Sequence, residues 1–159
     1  MLQKLVHTLA GMLQKAAGVL LVAMMALTCT DVLSGALGLP ILGAEEMVSL
    51  MAAVLLAFVL PTAHMKRAHI GIDLLYRHFG ARLRKANDLC IGIVSAVFFL
   101  LASWQCVLYA EELQRAGEVS STLQLPIYYI LYAIGAACFV VVLVLAMEIV
   151  RLLRGNGDG

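Results

Sequence analysis

Long apolar segments alternate with short polar ones along the whole chain. Four of these segments approach or reach the roughly 20 residues that a helix needs to cross about 30 Å of hydrocarbon. They run over residues 16–39, 46–63, 89–110 and 125–147, and the third contains no charged residue. The pattern predicts an all-α polytopic membrane protein with four transmembrane helices, in which residues 1–159 form a single membrane domain.

Prolines and acidic residues mark the ends of these segments. Pro40 follows span one, where a helix cannot continue. Glu45 and Glu46 open span two, where carboxylates meet the positive end of the helix dipole. Pro61 predicts a kink or an early stop at the exit of span two. Pro126 is expected in the first turn of span four, a position that suits proline.

The polar segment between spans two and three, residues 64–88, has a helical pattern of its own. Its apolar side chains recur at helical spacing, which places them on one face: Ile72, Leu75, Tyr76, Phe79 and Leu83. Cations fall on the opposite face: Arg77, Arg82, Arg84 and Lys85. This arrangement is typical of a helix that lies in the membrane interface and contacts lipids. We therefore predict an in-plane amphipathic helix over residues 71–86.

Composition agrees with insertion in a membrane. Hydrophobic residues make up 63% of the 159 residues and charged residues 13%, which is too apolar for a water-soluble core of this size. A net charge of +1 gives no indication of a nucleic-acid partner. The apolar run after Lys15 is longer than a cleaved signal requires, so we expect a retained first span. Residues 155–159 are predicted to be disordered.

Charge distribution predicts the orientation. Of the 11 lysines and arginines, only Arg115 lies in a loop on the opposite side from the others. The positive-inside rule then places both termini and residues 64–88 in the cytoplasm. The acidic residues near the outer face are Glu45, Glu46, Glu111, Glu112 and Glu118.

Chemical groups inside the predicted spans are few. Apart from Glu46, which opens span two, Asp31 is the one charged residue there, and a carboxylate at such depth can couple transport to a proton or a cation. Its position near the outer boundary favours local capping or pairing instead, and both interpretations stay open. The four histidines lie outside the spans, which leaves no histidine pair for a haem within the bundle. We expect no enzyme activity, no cofactor and no metal site in this chain.

Small residues recur four positions apart in three spans, as in Ala53 with Ala57, Gly92 with Ala96, and Ala133 with Ala137. Such pairs allow two helices to approach closely. They fit either packing within the chain or docking onto another membrane protein.

The order of these features resembles the small membrane subunit of TRAP transporters, the DctQ-like family. The resemblance extends from about residue 16 to residue 147 and is carried by Asp31-Val32, Pro40, Glu45-Glu46, the Arg-x-His-Ile-x-x-Asp pattern at 67–73, and Leu123-Gln124-Leu125-Pro126 followed by Tyr128, Tyr129 and Tyr132. The chain departs from the family at Ser34 and Gly35, where an arginine is frequent, and near Gly80, where a proline is frequent.

The resemblance implies a non-catalytic scaffold in a sodium-coupled transporter for organic acids of the bacterial inner membrane. Its partners would be a large multi-span membrane subunit, which carries the substrate and sodium sites, and a periplasmic substrate-binding protein. The contacts implied for this chain are Glu46, Arg67, His69 and Asp73. The alternative is an independent proton-coupled exporter in which Asp31 is the coupling site.

Overall fold

The structure, a computed structural model, describes residues 2–67, 81–120 and 122–153. These residues form four α-helices and no strand: α1 (Leu2–Ala36), α2 (Ala44–Arg67), α3 (Ala81–Ala116) and α4 (Tyr128–Leu153). Each helix contains a segment long and apolar enough to cross a membrane. The predicted all-α class and the four spanning segments are confirmed.

Two of the helices, α1 and α3, are longer than a membrane requires. They have 35 and 36 residues, which at a rise of 1.5 Å per residue gives about 52 and 54 Å, against about 30 Å of hydrocarbon. The helix that contains span one extends beyond the predicted membrane segment, since α1 begins at Leu2. Val6 and Ala10 in this extension are almost fully buried, so packing extends the helix beyond the charged Lys15.

At Pro61 the expected early stop is wrong, while a kink there stays a prediction; the expectation for Pro126 is also wrong. α2 does not stop at Pro61 but continues to Arg67. Pro61 is almost fully buried, and the hydroxyl of its neighbour Thr62 donates a hydrogen bond to the carbonyl of Ala10 in α1, at 3.3 Å. This packing holds the helix together past the proline. Pro126 lies before the first turn of the last helix, since α4 begins at Tyr128.

The helices are arranged as an open row in the order α1, α2, α4, α3. α1 packs on α2, α2 on α4 and α4 on α3, while α1 and α4 share a smaller contact. Within the described ranges, α1 and α3 have no comparable packing. α4 is accordingly the most buried helix, with Ala137, Val141 and Leu145 at its centre. Both outer helices present broad apolar faces to the surroundings.

Close packing joins α3 to α4 along their length. The Ser103 hydroxyl donates a hydrogen bond to the Gly135 carbonyl at 2.9 Å. A methyl group at Gly92 would lie 3.2 Å from Ile149 Cγ1, and one at Gly135 would lie 3.3 Å from Cys106 Cβ. Gly92 therefore serves packing within the chain, and the burial of Ala57 and Ala137 indicates the same role for these two residues.

The predicted in-plane helix falls mostly outside the described residues. Its last part, residues 81–86, belongs to α3, which is continuous through Leu89. The expected boundary between this helix and span three at residues 86–89 is therefore wrong. Residues 71–80 and the tail 155–159 lie outside the described ranges, and their predicted structure remains a prediction.

Candidate interaction surfaces

The connection before α2 meets the connection between α3 and α4. The backbone N–H of Thr122 donates a hydrogen bond to Glu46 Oε2 at 3.1 Å. A methyl group at Gly43 would lie 2.9 Å from Leu123 Cγ, so these two residues are in close contact. We refer to Gly43, Glu46, Thr122 and Leu123 as the outer junction. It fixes the position of the α1–α2 pair against the α3–α4 pair at one end of the molecule.

Glycines terminate the helices that lead into the outer junction. Gly38 and Gly117 have positive φ angles, 79° and 66°. After α1, the Leu39 N–H donates to the Ser34 carbonyl at 2.9 Å; after α3, the Glu118 N–H donates to the Leu113 carbonyl at 3.1 Å. This is the pattern in which a left-handed residue reverses the chain and satisfies a free helical carbonyl. Both turns direct the chain back across the end of the row.

Asp31 stabilises the turn that follows α1. Its Oδ1 accepts a hydrogen bond from the Ile41 backbone N–H at 3.1 Å, and the Ser34 hydroxyl donates to the Asp31 carbonyl at 3.0 Å. The interpretation of Asp31 as a residue that pairs locally is confirmed. Its carboxylate attaches the connection between α1 and α2 to the end of α1, which is a structural role.

An open cleft of about 370 Å³ lies beside the outer junction and is lined by Asp31, Pro40, Ile41, Leu42, Gly43, Ala44, Glu45, Glu46 and Thr122. Three carboxylates border it, and two of them accept backbone hydrogen bonds. Among the described residues, no group of three or more His, Cys, Asp or Glu side chains is placed to hold a metal ion.

The predicted partner contacts do not come together in one place. Glu46 lies in the first turn of α2 and Arg67 is its last residue, so about 30 Å of helix separates them. His69 and Asp73 lie outside the described residues. Glu46 is already engaged within the chain through Thr122. Sequence reasoning missed Gly43 and Thr122, and it named Leu123 only as part of the family resemblance, not as a contact of Gly43. The one local signal was a glycine directly before a helix with an acidic first turn.

The residues predicted for the in-plane helix are divided in the same way. Leu83 of the apolar face and Arg82, Arg84 and Lys85 of the cationic face lie in the first two turns of α3. The other five lie outside the described ranges: Ile72, Leu75, Tyr76, Phe79 and Arg77. The amphipathic arrangement itself therefore remains a prediction.

His64, near the C-terminal end of α2, contacts α3. Its ring packs edge-on against Phe99 of α3, with ring centroids 5.2 Å apart and an interplanar angle of 87°. Phe99 lies in the middle of the charge-free run of α3, residues 89–110. The C-terminal end of α2 thus contacts the apolar part of α3 rather than its charged beginning.

Comparison with known proteins adds one match. The family model described as "Tripartite ATP-independent periplasmic transporters, DctQ component" matches residues 24–155. Neither a curated protein nor a solved structure matches the chain. The matched range covers the C-terminal part of α1 from residue 24, all of α2, α3 and α4, and the outer junction.

Proposed function

This chain belongs to the DctQ family of tripartite ATP-independent periplasmic transporters, and from this membership we propose that it is the fixed scaffold subunit of such a transporter. On this proposal it braces the fixed part of a larger, multi-span membrane subunit. The transport domain of that subunit moves against this fixed part. The larger subunit holds the sodium and substrate sites, and a periplasmic binding protein delivers an organic acid.

The open row of helices supports a scaffold role. A row whose outer helices present apolar side chains over much of their surface offers another membrane protein a wide area for packing. The outer junction links the two helix pairs by a hydrogen bond and a close contact. A rigid row of this kind is suited to holding a partner in place.

The described residues give little support to a carrier that acts alone. Asp31 is the charged residue nearest the middle of an apolar span, and its carboxylate accepts the N–H of Ile41 in the following turn. An exporter would need a group that binds and releases a proton or a cation during transport. A carboxylate that tethers a turn would have to break the local structure to do this.

We further propose insertion in the bacterial inner membrane with both termini in the cytoplasm. The support comes from the charges, since ten of the 11 lysines and arginines lie on one side of the four spans. On this proposal the outer junction faces the periplasm, on the side where the binding protein arrives. Residues 71–86 would lie at the cytoplasmic interface, against lipid headgroups.

Arg67, His69 and Asp73 remain proposed as supports of the chain after α2 or as contacts with the larger subunit. Alanine at His69 and Asp73 should reduce co-purification of that subunit, while alanine at His78, outside the family pattern, should not. Undiminished pairing and uptake in the first two variants would contradict the assignment.

The main support for the scaffold function is the family match over residues 24–155. The direct test is mass analysis of the proteins that co-purify with the tagged full-length chain from native membranes. A larger multi-span membrane protein is expected, together with uptake of an organic acid when both are reconstituted with the binding protein. Recovery of a homodimer alone, or transport by this chain without partners, would overturn the proposal.

A further inference from the structure

α3 carries two rows of side chains on opposite faces of the helix. The first row faces the other helices of the chain and contains Gly92, Ala96, Phe99, Ser103, Cys106 and Ala110, which are buried or half-buried. Ser103 and Cys106 contact Gly135 of α4, and Phe99 contacts His64 of α2. The second, which we call the outer row, contains Val94, Phe98, Leu101, Gln105 and Leu108, and all five are exposed. Each residue of the outer row follows a residue of the first row by two positions, about 200° around the helix.

Both rows follow alternating steps of four and three residues. This is the heptad spacing at which the side chains of one helix interlock with those of another. The first row makes such a contact, as the hydrogen bond from Ser103 to the Gly135 carbonyl shows. The outer row has the same spacing and larger side chains, with Phe98 65% and Leu101 63% exposed, but no helix of this chain covers it within the described residues.

Gln105 interrupts this apolar row with an amide. It lies in the charge-free run of α3, six residues before Glu111, which is about 9 Å along the helix. Its side chain is exposed and makes no hydrogen bond within the described part of the chain. By contrast, Thr28 and Thr30 in α1 each donate to a carbonyl one turn earlier.

An amide at this depth needs a polar partner, because lipid tails offer neither donors nor acceptors. We propose that the outer row binds a transmembrane helix of the larger membrane subunit, and that this helix presents a hydrogen-bonding group to Gln105. The inference rests on the proposed function, since the family is defined by a multi-component transporter. A single polar residue in an apolar heptad row sets the register of the two helices.

The position of α3 favours a helix of the larger subunit over lipid as the neighbour of the outer row. Among the described residues α3 is at the edge of the row. It packs on α4, and its Phe99 contacts His64 of α2 from the side of the first row, so a further helix can approach the outer row without displacing either described helix. Lipid alone would leave the amide unpaired.

Site-specific photo-crosslinking tests the outer row. A photoreactive phenylalanine replaces Leu101, in the outer row, or Leu100, which is about 100° away around the helix and 50% exposed. The complex in native membranes is then irradiated. The Leu101 variant should form an adduct with the mass of this chain plus the larger subunit, and the Leu100 variant should not. Adducts of the Leu101 variant with lipid alone, or with a second copy of this chain, would overturn the inference.

Replacement of the amide tests the hydrogen bond. Gln105→Leu should weaken retention of the larger subunit about 3- to 30-fold, the range expected for one hydrogen bond between helices in a membrane. Gln114→Leu, on the same helix beyond the charge-free run, is the matched control and should leave retention unchanged. Equal retention in Gln105→Leu and the wild type would refute the role of the amide.

These experiments separate the two proposals. If the wild type brings down a larger membrane subunit but the outer row neither cross-links to it nor depends on Gln105, the inference fails and the scaffold function stands. If the wild type brings down no larger membrane protein, the scaffold function itself fails.

Discussion

The backbone N–H of Thr122 donates a hydrogen bond to Glu46 Oε2 across 76 residues of sequence, with 3.1 Å between nitrogen and oxygen. The bond joins the first turn of α2 to the connection that precedes α4. Glu46, which the family resemblance indicates as a partner contact, therefore contributes to the fold of this chain. A variant at Glu46 that impairs transport has to be tested for stability before a partner contact is inferred.

Glu46→Ala should lower the free energy of unfolding by about 1 kcal/mol, since it removes the acceptor of the Thr122 N–H. Glu46→Gln keeps an acceptor oxygen and should lose less. Glu45→Ala is the matched control, because Glu45 is exposed and shares the first turn of α2. Thermal unfolding of the detergent-solubilised protein measures the difference. Equal losses at both positions would mean that the helix dipole, and not the bond to Thr122, is responsible.

Gly43→Ala should destabilise the protein more than Gly38→Ala. Both glycines have positive φ angles, 84° and 79°, so alanine costs each about 1–2 kcal/mol in backbone strain. A methyl group at Gly43 would also lie 2.9 Å from Leu123 Cγ, whereas nothing lies within 4 Å at Gly38. This overpacking adds about 1–3 kcal/mol.

The double variant Gly43→Ala/Leu123→Ala separates the two costs at the outer junction. It should be less destabilised than the sum of the single variants, because the smaller side chain at position 123 removes the clash and leaves the strain. Strict additivity in thermal unfolding would show that Leu123 moves aside without cost.

Gly135→Val should separate α3 from α4. Added carbons would meet Cys106 Cβ at 3.3 Å and the Ser103 carbonyl oxygen at 3.5 Å, and the expected loss is about 1–3 kcal/mol. Gly18→Val in α1 is the control, because nothing lies within 4 Å of that position. The fluorescence of Trp104, the single tryptophan, reports unfolding of α3. Similar losses in both variants would contradict the close α3–α4 packing.

The number and type of helices could be predicted because each apolar run is long and separated from the next by charges. The residues at which the helices begin and end could not be predicted, and α1 shows the reason. Lys4 and Lys15 indicate a cytoplasmic segment before the span, yet Val6 and Ala10 pack in the fold and extend the helix to Leu2. Hydropathy describes the part of a helix that lies in lipid, and packing continues beyond it.

The open row could not be predicted because nearly every face of each span is apolar. In a water-soluble helix the polar face marks the outside, but in a membrane lipid-facing and protein-facing residues have similar hydropathy. Phe98 and Phe99 are adjacent and equally apolar, yet Phe98 is 65% exposed whereas Phe99 packs against His64 of α2. The outer junction likewise depends on how residues 43–46 and 122–123 meet in space.

Charge reversal at Arg82, Arg84 and Lys85 should disturb membrane insertion before it alters substrate choice. These residues open α3, and in the proposed orientation they supply part of the positive charge that keeps this end of the helix in the cytoplasm. Labelling of a cysteine at position 118 from the periplasmic side should fall in the triple glutamate variant and stay unchanged in the control Arg115→Glu. A changed substrate preference with normal labelling would show that the segment has another role.

Asp31→Asn should leave transport by the assembled complex within about two-fold of the wild type, a difference below about 0.5 kcal/mol. Asparagine keeps an oxygen that can accept the Ile41 N–H, now 3.1 Å from Asp31 Oδ1, but it cannot exchange a proton or hold a cation by charge. Asp31→Ala removes the acceptor and should lower the free energy of unfolding by about 1 kcal/mol. Uptake by the reconstituted complex and thermal unfolding of the same preparations measure the two effects separately. Complete loss of transport in a normally stable Asp31→Asn variant would instead identify this carboxylate as a coupling site, because only its charge would then have been removed.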